Sequence, residues 1–323
     1  MSYYYSCLSS RQRGLYDRIF EGVNELDRKI ALPLAGKNDL FSAFNSVIYD
    51  NPIMFYTRAF HYANNKISQR TILSPVYKYE DDFTDRSADF ISDFLSLFDA
   101  VRNEGDLEKE LFVHDYCLDN FVYDHDFNEY AFSVLGPVVF GSGVCEGISK
   151  FVKLVLNYLG VECIVVAGRA FSPTSGFRRT EPHMWNMVTI QGDTYHLDVT
   201  FNMTNKGKIN RYDYFNLPDV EIKKDHTITG KVPVCNTVGN DYYSLSSQVV
   251  HSLTEMENYI RAELLSGKTT TVVKLSSGQS GSNIIDKIVD MAMRQFQSMY
   301  NRDVSIEVRY NPKQHVYEVG FHS

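Results

Sequence analysis

The apolar positions in the first hundred residues recur with the period of an α-helix. A capping-box motif at residues 9–12 precedes the first run, whose apolar positions are Leu15, Ile19, Val23 and Leu26. Two further helices are predicted at residues 39–49 and 85–102, and a strand is predicted in the polar stretch between them. Because no spacing typical of a catalytic site occurs here, we interpret residues 1–105 as a helical N-terminal region.

The segment from residue 106 to residue 220 combines helical and strand-like patterns. Its predicted elements are helices at residues 107–121 and 145–159 and strands at residues 161–170, 184–190 and 194–200. The second helix is apolar on most sides, so we expect it to be central and buried. The last two strands are separated by a tight turn that contains Gly192, which predicts a hairpin. This mixture predicts an α+β core.

Beyond about residue 220 the pattern is that of a small α/β accessory domain, residues 221–323, without a recognisable site. Its predicted elements are a helix at residues 253–265 after a capping-box motif, a strand at 268–275, a Ser/Gly linker at 276–282, an amphipathic helix at 284–299 and strands at 304–310 and 315–321.

The composition is that of a globular protein with an acidic surplus. The 323 residues are 44% hydrophobic and 22% charged, which is enough apolar material for a full core. Lys plus Arg number 32 against 40 Asp plus Glu, giving a net charge of −8, and no basic run offers the footprint that phosphate backbones require. Nucleic acid is therefore not an expected partner.

The sequence shows neither a signal peptide nor a candidate membrane span. Its first residues lack a basic segment followed by an apolar stretch, and no segment reaches the roughly 18 uninterrupted apolar residues of a transmembrane helix. We therefore expect a soluble, cytoplasmic protein with no membrane partner. The sequence leaves the oligomeric state open.

Five cysteines are widely spaced along the chain: Cys7, Cys117, Cys145, Cys163 and Cys235. An odd number in a chain of this size argues against a disulfide framework, and we expect four of them to be small buried hydrophobes. Cys145 differs because it follows a Gly-rich turn and begins an apolar helix. The positive end of the helix dipole favours a thiolate there, and free backbone N–H groups can stabilise an oxyanion.

His183 is the best candidate for the base that such a thiol needs. A two-residue turn at residues 191–192 pairs Ile190 with Asp193. Extending this register makes His183 and Asp198 diagonal neighbours on one face of the hairpin, within reach of a hydrogen bond from imidazole to carboxylate. A thiol, an imidazole and a carboxylate are the three groups of a nucleophilic catalytic triad.

Trp185, the one tryptophan of the chain, lies on the same predicted face as His183 and Asp198. There it can wall the site and limit the access of water. A place among the ordinary core aromatics of the hairpin fits the pattern equally well.

Three sequence blocks, in this order and at these spacings, resemble the transglutaminase-like superfamily, specifically its bacterial members. The blocks are Gly143-Val-Cys145-Glu-Gly147, His183-Met-Trp-Asn186 and Tyr195-His-Leu-Asp198-Val-Thr200. The resemblance covers about residues 106–218 and implies a catalytic core at residues 106–220. It implies that Cys145 is the nucleophile, His183 the base and Asp198 the orienting acid. The implied fold is similar to that of papain, with the cysteine helix packed on an antiparallel sheet.

Two departures from the superfamily pattern argue against assuming protein cross-linking. Met184 stands where a small residue is common, and Glu146 replaces the aromatic residue that follows the nucleophile in animal transglutaminases. We therefore expect acyl transfer through a Cys145 thioester, with hydrolysis of a peptide or amide bond as the first choice and transamidation as the second. The alternative is a catalytically silent protein-interaction module with the same fold. A second oxyanion donor is not identifiable from the sequence.

The sequence gives only weak signals for a metal or a cofactor, and we expect the protein to use neither. Residues 124–128 resemble the start of a calcium loop, but Glu129 stands where glycine is needed and Leu135 where glutamate is needed. Four residues are conceivable zinc ligands without any ligand-pair spacing: Cys145, Cys163, His183 and His196. His196 shares the Asp198 face and is expected to be a hydrogen-bonded structural residue. The glycines at 278–281 lack the ending of a phosphate loop.

Overall fold

The computed structural model describes residues 2–79, 81–171, 180–207, 209–276 and 283–322. Helices and mostly antiparallel sheets alternate along the chain, which confirms the predicted α+β class. In the described residues, no helix is both long enough and apolar enough to cross a bilayer.

The N-terminal part combines helices with a small sheet. Its elements are α1 (Tyr3–Cys7), α2 (Ser10–Asn24), β1 (Ile30–Pro33), α3 (Lys37–Asp50), β2 (Thr57–Asn65), β3 (Arg70–Tyr77), α4 (Asp81–Leu95) and a 3-10 helix (Ser96–Val101). Ser9 caps α2 through the predicted capping box with Gln12. The strands form a three-stranded antiparallel sheet in the order β1-β3-β2.

This sheet corrects the interpretation of residues 1–105 as a helical region. The pattern predicts one strand, which is β3, and misses its two neighbours. β1 is only four residues long, and β2 is exposed along most of its length. Neither strand therefore shows the alternation of apolar and polar residues that marks a half-buried strand.

The middle part carries a four-stranded antiparallel sheet, in the order β8-β7-β6-β9, against which one central helix packs. Its elements are α5 (Asp106–Asn120), β4 (Val122–Tyr123), a 3-10 helix (Glu129–Phe132), a π-helix (Gly136–Phe140), β5 (Ser142–Gly143), α6 (Cys145–Tyr158), β6 (Cys163–Phe171), β7 (Thr180–Ile190), β8 (Asp193–Leu197), α7 (Val199–Asn205), α8 (Asp219–Ile222), β9 (His226–Ile228) and α9 (Tyr242–Leu245). Helix α6 is the central helix, and its apolar side chains are almost all buried, as predicted.

The strand predicted at residues 194–200 is shorter than the pattern indicates. The predicted pairing of Ile190 with Asp193 is confirmed and continues to Asn186 opposite Leu197. The chain then leaves the sheet, and Asp198 becomes the N-cap of α7. Asp is a preferred N-cap residue because its carboxylate accepts a backbone N–H of the first turn, which explains the early end of the strand.

The C-terminal part forms its own mixed sheet, in the order β10-β11-β13-β12, with two helices. Its elements are β10 (Val249–Val250), α10 (Leu253–Leu265), β11 (Thr270–Leu275), α11 (Ile284–Tyr300), β12 (Ser305–Asn311) and β13 (Val316–His322). Two helices and three strands were expected here and are present, whereas the two-residue β10 is too short to predict. Most of the expected linker, residues 277–282, and the glycines within it lie outside the described residues.

Two large clusters of buried apolar side chains support these sheets. One extends from Leu15 to Cys235 and joins the N-terminal and middle parts, and the other lies between Val250 and Phe321. The division at residues 105 and 220 into three domains remains a prediction.

Candidate active site

Cys145 is the first residue of α6 and is half-buried. The N-cap, Val144, has no side chain that can cap the helix, so the first-turn N–H groups are left for other partners. The helix sits close against the preceding 3-10 segment. A Cβ at Gly147 would lie 2.9 Å from the carbonyl oxygen of Ser133 and closer still to that of Ala131. The tight packing fixes the position of the Cys145 end of the helix.

His183 lies in β7 directly opposite Gly168 of β6. The glycine is required because a Cβ there would come within 2.6 Å of the Trp185 ring. The His183 ring contacts the rings of Phe201, at a centroid distance of 4.7 Å, and Trp185, at 5.9 Å. Aromatic packing therefore helps to hold the imidazole in place.

Asp198 reaches His183 from the start of α7 and not from a strand. Its Oδ1 accepts the N–H of Phe201 at 2.9 Å, and its Oδ2 lies 2.7 Å from Nε2 of His183. The carboxylate is completely buried. Since Nε2 of His183 donates to Asp198, Nδ1 is the nitrogen left for the sulfur of Cys145, whose side chain also hydrogen-bonds this ring.

The structure therefore brings together the three residues that the sequence predicts as a triad. Burial lowers the pKa of His183, but the charge and hydrogen bond of Asp198, with the contact to Cys145, outweigh it and raise the pKa to about 10. Burial raises the pKa of Asp198, and the two histidines beside it reverse the effect and hold it well below its usual range. An imidazolium beside a carboxylate is thus the stable form of this pair.

Tyr123 of β4 is a further residue at the Cys145 end of α6, and the sequence analysis missed it. Its phenolic oxygen accepts the backbone N–H of Cys145, and burial, together with the negative charges of Cys145, Glu181 and Asp198, raises its pKa. The phenol is therefore protonated and carries a donor beside Cys145. β4 reaches this position by pairing in parallel with β5, a contact that no local sequence pattern signals.

His226 of β9 is a second missed residue and contacts the same carboxylate oxygen as His183. Its Nε2 lies 3.0 Å from Oδ2 of Asp198, and its Nδ1 lies 2.6 Å from Oδ1 of Asp225. The ring is buried. An Asp-His pair in a polar stretch is not distinctive, so the sequence offers no signal for this contact.

Trp185 is 1% exposed and supports His183 from the buried side. Its indole N–H donates to Nδ1 of His196 at 3.0 Å, and Nε2 of His196 lies 2.9 Å from Oδ1 of Asp219. In this arrangement the indole has no face open to a substrate. Its role as a site wall stays a prediction, and His196 makes the structural hydrogen bonds expected of it.

Glu146, next to Cys145, is neutralised by two cations. Its carboxylate oxygens lie 2.7 Å from Nη2 of Arg58, in β2, and 2.7 Å from Nζ of Lys150. Burial raises the pKa of Glu146, but Lys150 and Arg58 outweigh burial and lower it. The negative charge is compensated, so it opposes a thiolate at Cys145 only weakly.

Among the described residues, two groups of side chains bring three potential metal-ligand atoms within 4.8 Å of one another: His183, Asp198 and His226, and His196, Asp219 and Cys235. In the first group both histidine nitrogens carry the protons that bind Asp198. In the second, the indole N–H of Trp185 occupies the lone pair of Nδ1 in His196, so Nε2 carries the proton and cannot bind a metal. The donor sets therefore suit hydrogen bonds and do not fit a metal ion.

The calcium-loop-like segment and Cys163, the other candidate metal ligands, make ordinary structural contacts. Asp124 accepts the N–H of Asp126 and the side-chain amide of Asn128, which is a local turn. Cys163 is buried among apolar residues, and its sulfur accepts from the side chain of Asn186. It is core, as expected.

Comparison with known proteins identifies one family. Residues 98–199 match the model of the transglutaminase-like superfamily. A solved structure described as a TGase is similar over 47% of this chain and 46% of its own length, with 16% identity and a TM-score of 0.30. A "Putative Cysteine Protease" from Cytophaga hutchinsonii is similar over 44% of this chain and 61% of its own, with 13% identity and a TM-score of 0.25. No curated protein matches the chain.

Proposed function

Because residues 98–199 form a transglutaminase-like superfamily domain, we propose that this protein is a cysteine-dependent hydrolase of peptide or amide bonds. The observation that carries the proposal is the buried pair of His183 and Asp198 in contact with Cys145 at the N-terminus of α6. This arrangement supports acyl transfer as the reaction. Cys145 supplies the nucleophile, His183 moves the proton and Asp198 holds the ring in one tautomer.

In the first half-reaction the Cys145 thiolate adds to the amide carbonyl carbon, and the carbonyl oxygen becomes an oxyanion. The phenolic O–H of Tyr123 is one donor for it, and the backbone N–H of Cys145 becomes the second when the oxyanion replaces the Tyr123 oxygen as its acceptor. The His183 imidazolium then gives its proton to the amide nitrogen. The C–N bond breaks, and a thioester and a free amine remain.

In the second half-reaction neutral His183 removes a proton from water, and the hydroxide adds to the thioester carbon. The C–S bond breaks, the acid leaves, and the thiolate and imidazolium are restored. An amine in place of water would give transamidation. Water needs no binding site, so hydrolysis is the simpler outcome.

The direct test is alkylation of the full-length protein with iodoacetamide at a series of pH values. Cys145 should be modified at acidic pH, because His183 stabilises the thiolate as an ion pair. Cys7, contrary to the expectation that it is buried, is exposed in α1, so it serves as a comparison thiol in the same sample. Mass mapping of both peptides gives the two rates.

Cys145→Ala provides the second arm. The variant should fold as the wild type does and form no adduct at this position with a library of electrophilic peptides. A peptide adduct that persists in Cys145→Ala contradicts the assignment of the nucleophile. Cys145 labelling that follows Cys7 at every pH contradicts the enzyme and favours the silent interaction module.

A further inference from the structure

One carboxylate oxygen in the site serves two histidines. Oδ2 of Asp198 lies 2.7 Å from Nε2 of His183 and 3.0 Å from Nε2 of His226. A nucleophilic triad needs only the first of these contacts. The contact with His226 requires its own explanation, because it places a second histidine ring in the protein interior beside His183 and Asp198.

The hydrogen bonds of His226 define its charge. Carboxylate oxygens face both ring nitrogens, Asp198 at Nε2 and Asp225 at Nδ1, and an ionised carboxylate can only accept. Both nitrogens must therefore carry a proton, so the ring is an imidazolium. Asp225 in turn accepts the hydroxyl of Tyr214 at 2.6 Å, which fixes its position.

The surroundings favour this charge. The ionisable groups around His226 are Asp198, Asp225, Tyr214, His183 and His196. His196 carries no charge near neutral pH, since burial lowers its pKa to about 4. Burial alone lowers the pKa of His226, but the hydrogen bonds and charges of Asp198 and Asp225 outweigh burial and raise it.

We propose that His226 is a positioning residue of the Cys145 site, an imidazolium that shares the Asp198 carboxylate with His183 and limits how firmly that carboxylate holds the His183 proton. The inference rests on the proposed function. The centres of the two rings are 5.4 Å apart, so the charge on His226 acts on His183 through a water-poor interior. In the proposed reaction, His183 must release its proton to the leaving amine. A weaker interaction between Asp198 and the His183 imidazolium makes that release easier.

His226→Gln separates the charge from the hydrogen bond. The glutamine amide can donate to Asp198 as Nε2 does, but it is neutral. The negative potential at His183 and Cys145 should increase, so both limbs of the pH profile of Cys145 alkylation should move to higher pH, by about one unit for the alkaline limb. A role in packing alone would change the rate without moving the limbs.

Asp225→Asn is the second variant and leaves His226 in place. It removes a negative charge and leaves an amide oxygen that still accepts the Nδ1 proton of His226, so the profile should not move to higher pH, in contrast to His226→Gln. His61→Gln is the matched control, because His61 is an exposed histidine of β2 and its loss should leave the profile unchanged.

The charge of His226 can be read directly from nitrogen-15 NMR of the full chain labelled at histidine. The signal that disappears in His226→Gln should show a protonation midpoint above the ordinary value of about 6.5 for histidine. A midpoint at or below that value overturns the inference, and so does a His226→Gln alkylation profile that coincides with the wild type.

The outcomes separate the two proposals. Early labelling of wild-type Cys145 with an unchanged profile in His226→Gln, or the same upward shift in Asp225→Asn as in His226→Gln, overturns the role of His226 alone. Wild-type Cys145 that labels no earlier than Cys7 contradicts the proposed function, and the inference then fails with it.

Discussion

Asp198 shows how one residue can combine structural and chemical roles. One oxygen caps α7 through the N–H of Phe201, and the other binds His183 and His226. A side chain held at both oxygens has little freedom to rotate. The carboxylate is thus fixed without any ligand, which is the preorganisation that the proposed acyl transfer would require.

Glu110 is a second buried carboxylate and gives the chain a pH-dependent stability. It is fully buried in α5, and its Oε2 accepts from Asn216 at 2.8 Å, whereas Oε1 has no hydrogen-bond partner among the described residues. Burial raises its pKa to about 8, against the opposing effect of the Asn216 hydrogen bond. The folded protein therefore keeps a proton that the unfolded chain releases near its ordinary pKa, and stability falls as the pH rises between these two values.

We predict that Glu110→Gln flattens this dependence. The amide is neutral at every pH. The free energy of unfolding of the variant should therefore match that of the wild type near pH 4.5 and exceed it by roughly 3–5 kcal/mol at pH 8. Urea denaturation at both pH values measures the difference. Glu108→Gln, on an exposed position of the same helix, is the control and should follow the wild type. Parallel curves for Glu110→Gln and the wild type would show that Glu110 is ionised when folded.

At the level of elements, the site depends on how closely α6 packs on the segment before it. Gly147 lies in the first turn of the helix, where carbonyl oxygens of the preceding 3-10 helix and the residue after it occupy the space of a Cβ. Backbone atoms move less readily than side chains. The small residue two positions after Cys145 is thus a packing requirement as well as part of the sequence motif.

Gly147→Ala should destabilise the protein by about 3 kcal/mol or more, because overpacking against backbone cannot be relieved by a change of rotamer. Gly14→Ala is the matched control, since Gly14 is also helical, in α2, and its added Cβ meets no atom within 4 Å. That variant should be more stable by about 0.5–1 kcal/mol from helix propensity. Thermal unfolding measures both, and equal shifts in the two variants would contradict the packing argument.

At the level of the whole molecule, charged contacts connect the three parts. Arg58 of the N-terminal sheet pairs with Glu146 beside Cys145. Arg211 makes a two-point contact with Asp213 and also approaches Glu318 of β13, at 3.4 Å. The contacts among Arg211, Asp213 and Glu318 are buried. They therefore join the middle and C-terminal parts through charged groups that are shielded from solvent.

Arg211→Leu should lower the free energy of unfolding by about 3–5 kcal/mol, because Asp213 would remain buried without its cation. Arg309→Leu removes an arginine from an exposed pair with Glu307 and should leave the denaturation midpoint unchanged. Chemical denaturation of both variants gives the comparison. A loss in Arg211→Leu no larger than that in Arg309→Leu would show that the buried network adds no stability.

Local patterns predicted the elements on which the site is built. The apolar helix that begins at Cys145 and the two-residue turn between β7 and β8 are both as expected, and the confirmed register brings His183 close to Asp198. Such features depend on residues a few positions apart, whose periodicity and turn chemistry are visible in the chain itself. Strand β1 was missed because it has only four residues, all apolar, and β2 was missed because it is exposed along most of its length.

The remaining parts of the site depend on contacts between distant segments. Asp198 leaves its strand to cap α7, Tyr123 reaches Cys145 through the pairing of β4 with β5, and His226 arrives on β9, 28 positions after the carboxylate it binds. No periodicity links such positions, because each is set by how sheets and helices pack in three dimensions. The three candidate triad residues and their order could be predicted from the chain alone, whereas the contacts of His226 and Tyr123 emerge only when the chain is folded.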